Sequence, residues 1–113
     1  MKKTRISIPL YFQELDIVIV DDFSKLNTFY NTSFSNENYD GFVFNHGDII
    51  VLVIKRPDWS VISHEIVHVV NEIFIKCNIQ LDRNNDEPQA YLTGFIAEEI
   101  NKIICKIAEM HDN

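Results

Sequence analysis

Residues 41–76 decide the fold, and they read GFVFNHGDIIVLVIKRPDWSVISHEIVHVVNEIFIK. The run Ile49–Ile54 is apolar throughout, which predicts a central strand buried on both faces of a sheet. Gly41–Asn45 is less uniform and precedes an Asn-His-Gly-Asp turn, so we expect it to form a hairpin with that strand and to lie nearer an edge. A mostly apolar helix should come next, from Trp59 to about Cys77.

The rest of the chain adds two strands and two helices to this unit. Four elements are expected: strands over Arg5–Leu10 and Leu15–Val20, a short helix over Phe23–Tyr30, and a last helix from the Asp86-Glu87-Pro88 segment to about Met110. The stretch 31–40 is rich in Asn and Ser and predicts a loop. This order predicts an α+β domain in which helices pack on one face of a small mixed or antiparallel sheet, with the central helix over 59–77.

Length and composition narrow the class of protein. The chain has 113 residues, which predicts one domain over 1–113. The net charge of −7 argues against a nucleic-acid partner, which needs a basic face. No apolar run approaches 18 residues, so no membrane partner is expected. The basic N-terminus resembles the start of a signal peptide, but Pro9 and Glu14 interrupt the apolar stretch after it, and we expect this segment to belong to the fold.

The two cysteines indicate a compartment. Cys77 and Cys105 fall in or near expected helices and form no C-x-x-C pair. The simpler interpretation is two reduced thiols in a cytoplasmic protein; the alternative is a disulfide that joins the two helices.

The helix over 59–77 contains His64-Glu65-Ile66-Val67-His68, an H-E-x-x-H motif. Residues four apart lie on one helical face, so both histidines can bind one metal ion while Glu65 holds a water as general base. The alternative is a surface helix with two unrelated histidines. The apolar surroundings favour the metal, because an unpartnered polar group in an apolar site costs roughly 2–7 kcal/mol. The motif therefore predicts a Zn²⁺ site.

A catalytic zinc site takes three protein ligands and leaves a fourth position to water. The third ligand is expected among the acidic residues downstream: Asp82, Asp86, Glu87, Glu98 and Glu99. Glu87 is favoured, with Asp86 as the alternative. Small residues at 90, 94 and 97 share its helical face and would allow the two helices to cross closely. Glu87 could instead be an acid that favours the helix dipole.

Tyr91 and His46 are the remaining candidates. Tyr91 follows Glu87 by four residues, so its O–H could reach a substrate carbonyl or an oxyanion. The alternative is a half-buried core tyrosine. His46 lies in the expected hairpin turn, where a histidine is usually solvated.

Residues 41–99 as a whole resemble a small gluzincin-type zincin metallopeptidase. In thermolysin-like zincins the outer strand of the hairpin binds the substrate as an added strand. The resemblance thus implies that substrate contacts come from Gly41, Phe42, Val43, Phe44 and Asn45. It also implies a glutamate ligand about twenty residues beyond the motif, where Glu87 stands. The string Glu87-Pro88-Gln89-Ala90 is similar to the third-ligand helix of small intracellular zincins that cleave repressors, and its neighbourhood is similar to short zincin-like proteins encoded by bacteriophages.

Two departures from the thermolysin-like pattern bear on activity. Tyr91 stands where those enzymes have an aspartate that supports a metal-binding histidine. Loss of such a supporting residue typically lowers metal affinity or activity 10–100-fold. No second domain is expected to close the cleft, so a partner protein or a second copy would have to do so.

The expected function is a zinc-dependent metallopeptidase that hydrolyses a protein or peptide substrate. His64, His68 and Glu87 would hold the ion, Glu65 would act as general base and Tyr91 would steady the oxyanion. The alternative is a non-enzymatic zincin-fold protein, a structural or interaction module such as one in a phage particle. The expected location is the cytoplasm, or the host cytoplasm or virion for a phage protein.

Overall fold

The computed structural model describes the backbone of residues 1–35 and 38–112 and the side chains up to residue 110 outside that gap. The elements in chain order are β1 Lys2–Ile8, β2 Gln13–Ile19, α1 Ser24–Tyr30, β3 Gly41–His46, β4 Ile49–Ile54, α2 Trp59–Lys76 and α3 Glu87–Asp112. The α+β prediction is confirmed. The largest shift concerns β1, which begins three residues earlier and ends before Pro9 and Leu10, where the backbone turns and Leu10 takes a φ of 71°.

The four strands form one mixed sheet in the order β1-β2-β4-β3. The β1–β2 and β3–β4 pairs are antiparallel, whereas β2 and β4 run parallel. Strand β4 is central and Ile50–Ile54 is fully buried, as its apolar run predicts. Strand β3 lies at an edge, joined to β4 by a turn in which Gly47 has a φ of +59°.

Helices cover both faces of the sheet. On one face, Ile17 and Leu52 belong to a core formed with α2 and α3. These two helices therefore share one face of the sheet, as expected from the sequence. Helix α1 instead lies on the opposite face, where Leu26 packs with Val18 and Val53. The reason is the composition of the central strand: since successive side chains point to opposite faces, a strand that is apolar throughout needs cover on both.

A buried carboxylate ties α1 to the first two strands. Asp16 is fully buried and accepts hydrogen bonds from Arg5 Nε at 2.7 Å and from the Tyr30 hydroxyl at 2.6 Å. Burial works to raise the pKa of Asp16, but the hydrogen bonds from Arg5 and Tyr30 outweigh it and hold that pKa below its usual value. Burial and the bond to Asp16 together raise the pKa of the Tyr30 phenol.

Two expectations drawn from composition can be compared with this fold. Both cysteines are free thiols: Cys77 lies 3.6 Å from the Tyr11 carbonyl oxygen, and Cys105 is exposed on α3. Within the described residues, no helix is both long and apolar enough to cross a lipid bilayer.

Candidate metal centre

Helix α2 carries the H-E-x-x-H motif and is held on the sheet by one apolar face. Asp58 precedes its first turn, and the Asp58 carbonyl accepts hydrogen bonds from the backbone amides of Val61 and Ile62. Its fully buried positions are Ile62, Val69 and Ile73, and the nearly buried Ile66 and Val70 complete a stripe along one helical face. This stripe fixes the rotation of the helix, so that the motif's polar residues lie on the flank that faces β3.

The three polar side chains of the motif converge. The Nε2 atoms of His64 and His68 lie 3.4 Å apart, and Glu65 Oε1 lies 3.8 Å from His64 Nε2. One donor atom from each of the three fits within 4.8 Å of the others, and within the described part of the chain no other group of three His, Cys, Asp or Glu side chains does so. His64 is 68% exposed while Glu65 is 8% exposed, so the imidazoles face solvent above a buried carboxylate.

Gly41 makes room for that carboxylate. A Cβ atom at position 41 would lie 3.2 Å from Glu65 Cγ, 3.1 Å from Val61 Cγ1 and 3.0 Å from the Val53 carbonyl oxygen. These separations are tighter than ordinary van der Waals contact. The edge strand therefore approaches α2 closely at this point because residue 41 has no side chain, and Glu65 packs directly on the strand backbone.

A groove of about 520 Å³ runs between β3 and α2. The strand side of the groove includes Gly41, Phe42 and Val43, which are three of the five predicted substrate-contact residues. Asn45 reaches the same region through its amide, which donates a hydrogen bond to Glu72 Oε2 at 3.0 Å. Phe42 lines the groove, but its ring and that of Phe44 both pack on the other face of the sheet, against Phe34.

The outer edge of β3 has backbone groups available for pairing. The Lys55 amide donates to the Asp40 carbonyl, and pairing alternates along an antiparallel ladder. By that alternation Phe42 and Phe44 exchange hydrogen bonds with β4, whereas the N–H and C=O groups of Gly41, Val43 and Asn45 point outward. An edge of this kind is a template for an added strand.

Glu87 and Tyr91 lie elsewhere. Both line a separate, mainly apolar depression with Pro9, Leu10 and Tyr11 of the β1–β2 loop, and the Tyr91 side chain is 76% exposed. Glu87 does not join the group formed by the histidines and Glu65. The structure thus brings His64, Glu65 and His68 together beside β3, but it does not bring Glu87 or Tyr91 to them.

The course of the chain explains this placement. The start of α3 lies beside Tyr11, whose ring stacks near Phe74 in the last turn of α2. His64 precedes the end of that helix at Lys76 by twelve residues, or about 18 Å at 1.5 Å per residue. The small-residue stripe makes no close crossing either, because a Cβ at Gly94 would meet nothing within 4 Å.

Sequence reasoning missed Glu72, which lines the groove together with Asn71 and Ile75. Its spacing from the motif was the available signal: residues 64, 68 and 72 are each four apart and share one helical face. His46 is exposed, as expected, but it ends β3 instead of lying in the turn, and its ring lies 5.1 Å from that of Tyr30.

No protein-family model, curated protein or solved structure matches the chain. A pair of imidazoles and a carboxylate, set in a groove beside an unpaired strand edge, can bind a divalent ion and an extended peptide at the same place.

Proposed function

We propose that the protein is a zinc-dependent peptidase of the small zincin type. One observation carries the proposal: the three polar side chains of the H-E-x-x-H motif converge in a groove whose other wall is the edge strand β3. Metal donors, a buried carboxylate and a surface that can pair with a peptide backbone are all parts of a zincin that hydrolyses peptides.

The donor set suits zinc. Imidazole nitrogen and carboxylate oxygen are both ordinary zinc ligands, and the observed spacing lets His64 and His68 hold one ion. When bound, the ion supplies Lewis-acid activation of water at neutral pH. Glu87 as third ligand stays a prediction of the resemblance, and it would require the first turn of α3 to leave its position beside Tyr11.

Glu65 is our candidate for the general base. Its side chain is held between α2 and Gly41 of β3, and its Oε1 lies 3.8 Å from His64 Nε2 at the floor of the groove. A carboxylate fixed there can take a proton from an attacking water and pass it to the leaving amine. Its limited exposure keeps it in a defined orientation before substrate arrives.

The substrate we propose is an extended peptide segment of a protein. The outward backbone groups of Gly41, Val43 and Asn45 repeat every second residue, which matches the hydrogen-bonding period of an added antiparallel strand.

The test measures zinc binding and peptide cleavage in three proteins: wild type, Glu65→Gln and the matched control Glu98→Gln. Glu98 was a candidate ligand by sequence, but it is exposed on α3 and does not join the histidines and Glu65. We expect wild type and the control to cleave a mixed peptide pool with added zinc. Glu65→Gln should keep its zinc and lose at least about 100-fold in rate. Normal cleavage by Glu65→Gln would contradict the role of Glu65, and loss of its zinc would make Glu65 a ligand instead.

A second candidate function is a metal-binding interaction module without catalysis. The placement of Glu87 and Tyr91 away from the histidines favours it, because catalytic zinc sites ordinarily have a third protein ligand. Under this alternative, wild type and Glu65→Gln would bind zinc and peptides alike, and neither would cleave them. A cytoplasmic location, or a host cytoplasm or virion for a phage protein, is proposed with either function, since two free thiols suit a reducing compartment.

A further inference from the structure

Glu72 places a second carboxylate in the groove, away from the metal donors. It lies one helical turn beyond His68 and two turns beyond His64 on the same flank of α2. The Asn45 side-chain amide donates a hydrogen bond to Glu72 Oε2 at 3.0 Å, which joins the far end of β3 to the helix. This bond fixes one carboxylate oxygen beside the strand, and no described residue hydrogen-bonds the other oxygen.

No cation of the described chain neutralises this charge. Among the described residues, Glu72 takes part in no ion pair, and no Lys or Arg lines the groove. Lys76 follows by one turn, but it lines a different depression with Phe12 and Gln13. Glu65 adds a further carboxylate to the groove, and the chain as a whole carries a net charge of −7. A zinc ion at the histidines would offset the charge of Glu65, so the negative charge that a ligand meets lies at the Glu72 end of the groove.

The strand and the helix run in the same direction along the groove. Glu65 packs against Gly41 at the start of β3, and Glu72 bonds Asn45 near its end. Seven helical residues separate the two carboxylates, or about 10.5 Å along the axis. An extended peptide rises about 3.3 Å per residue, so the distance corresponds to about three peptide residues. In a peptide antiparallel to β3, the end beside Asn45 is the N-terminal one.

We infer that Glu72 selects peptides that carry a lysine or arginine about three residues on the N-terminal side of the bond at the metal centre. The position of this basic residue relative to the cleaved bond rests on the proposed peptidase function. The substrate class of the site is then a basic, extended segment. The basic side chain pairs with the Glu72 oxygen that Asn45 leaves available, while the peptide backbone pairs with the outward groups of β3.

Binding is measured first, without turnover. Fluorescently labelled decapeptides of Val, Thr and Ser carry one lysine that is moved through every position, and a matching set carries glutamine. They are titrated by anisotropy into zinc-loaded Glu65→Gln protein, with and without the additional change Glu72→Gln, and with Glu98→Gln as the matched control. We expect about fivefold tighter binding of the best lysine peptide than of its glutamine partner, as for an ion pair at a partly exposed site. The preference should weaken as salt is added.

The result that supports the inference is a lysine preference that Glu72→Gln abolishes and Glu98→Gln retains. Equal binding of the two peptide sets, no binding of either set, or a preference that survives in Glu72→Gln overturns it. Cleavage of the same peptides by wild-type protein then shows where the cut lies relative to the lysine. A lysine on the C-terminal side of the cut overturns the antiparallel placement. If no peptide is cleaved while Glu72-dependent binding persists, the peptidase proposal fails and the recognition of basic peptides stands.

Discussion

The close approach of β3 to α2 at Gly41 makes a testable link between the fold and the site. Changing Gly41 to Ala adds one methyl group that must lie 3.0 Å from the Val53 carbonyl oxygen and 3.2 Å from Glu65 Cγ. The carbonyl belongs to the central strand and cannot yield alone, so β3 has to shift at residue 41 and the facing turn of α2 has to move outward. Overpacking of this kind costs about 1–3 kcal/mol. We expect that loss in the free energy of unfolding, together with weaker zinc binding, because Glu65 and its neighbouring histidine move with the helix.

Gly94 provides the matched control. It lies inside α3, and a Cβ there would meet nothing within 4 Å, so the same substitution adds helix propensity without a clash. Gly94→Ala should raise the free energy of unfolding by up to about 1 kcal/mol. Urea unfolding of the three proteins, followed by circular dichroism, measures both changes. If Gly41→Ala is as stable as wild type and binds zinc equally well, the close packing of β3 on Glu65 is not a feature of the protein.

Three further outcomes are expected elsewhere in the chain. Asp16→Asn should lower the free energy of unfolding in urea by about 1.5–3 kcal/mol, because the fully buried carboxylate that accepts bonds from Arg5 and Tyr30 loses its charge. Folding lowers the pKa of Asp16, so the ionised carboxylate stabilises the folded protein above the unfolded pKa of about 3.9, and this stabilisation is lost as the pH falls through the folded pKa. In acid titrations, wild type should therefore lose stability below pH ~4 more steeply than Asp16→Asn. Phe12→Gly should leave the melting temperature unchanged or raise it. Phe12 is 95% exposed and has a φ of 54°, a conformation that costs a non-glycine residue about 1–2 kcal/mol. A clear fall in the melting temperature would contradict this.

Local pattern was enough to predict the elements. An apolar run with no polar position predicts β4 as a central strand, and the turn before it predicts the β3 hairpin. The four-residue spacing of His64 and His68 is a property of one helix, so the convergence of the two imidazoles also follows from sequence. Each of these inferences depends on residues close together in the chain.

The features that could not be predicted depend on how distant segments meet. Glu87 shares the order and spacing of a zincin ligand, but its position is decided by where α3 packs, and α3 begins beside Tyr11 at the far end of α2. The hydrogen bond from Asn45 to Glu72 joins a strand to a helix residue 27 positions later, and no local sequence pattern predicts it. The stripe that contains Gly94 indicated a helix crossing, yet the structure leaves Gly94 exposed.

The proposed function depends on metal binding by His64 and His68 beside β3. The most direct measurement is zinc content by mass spectrometry after dialysis against dilute zinc, compared for wild type and for the double variant His64→Ala, His68→Ala. Circular dichroism confirms that both are folded, which is expected because the two histidines are exposed. We expect about one zinc ion per wild-type chain and none in the double variant. Zinc that is absent from wild type, or equally present in both folded proteins, would contradict it.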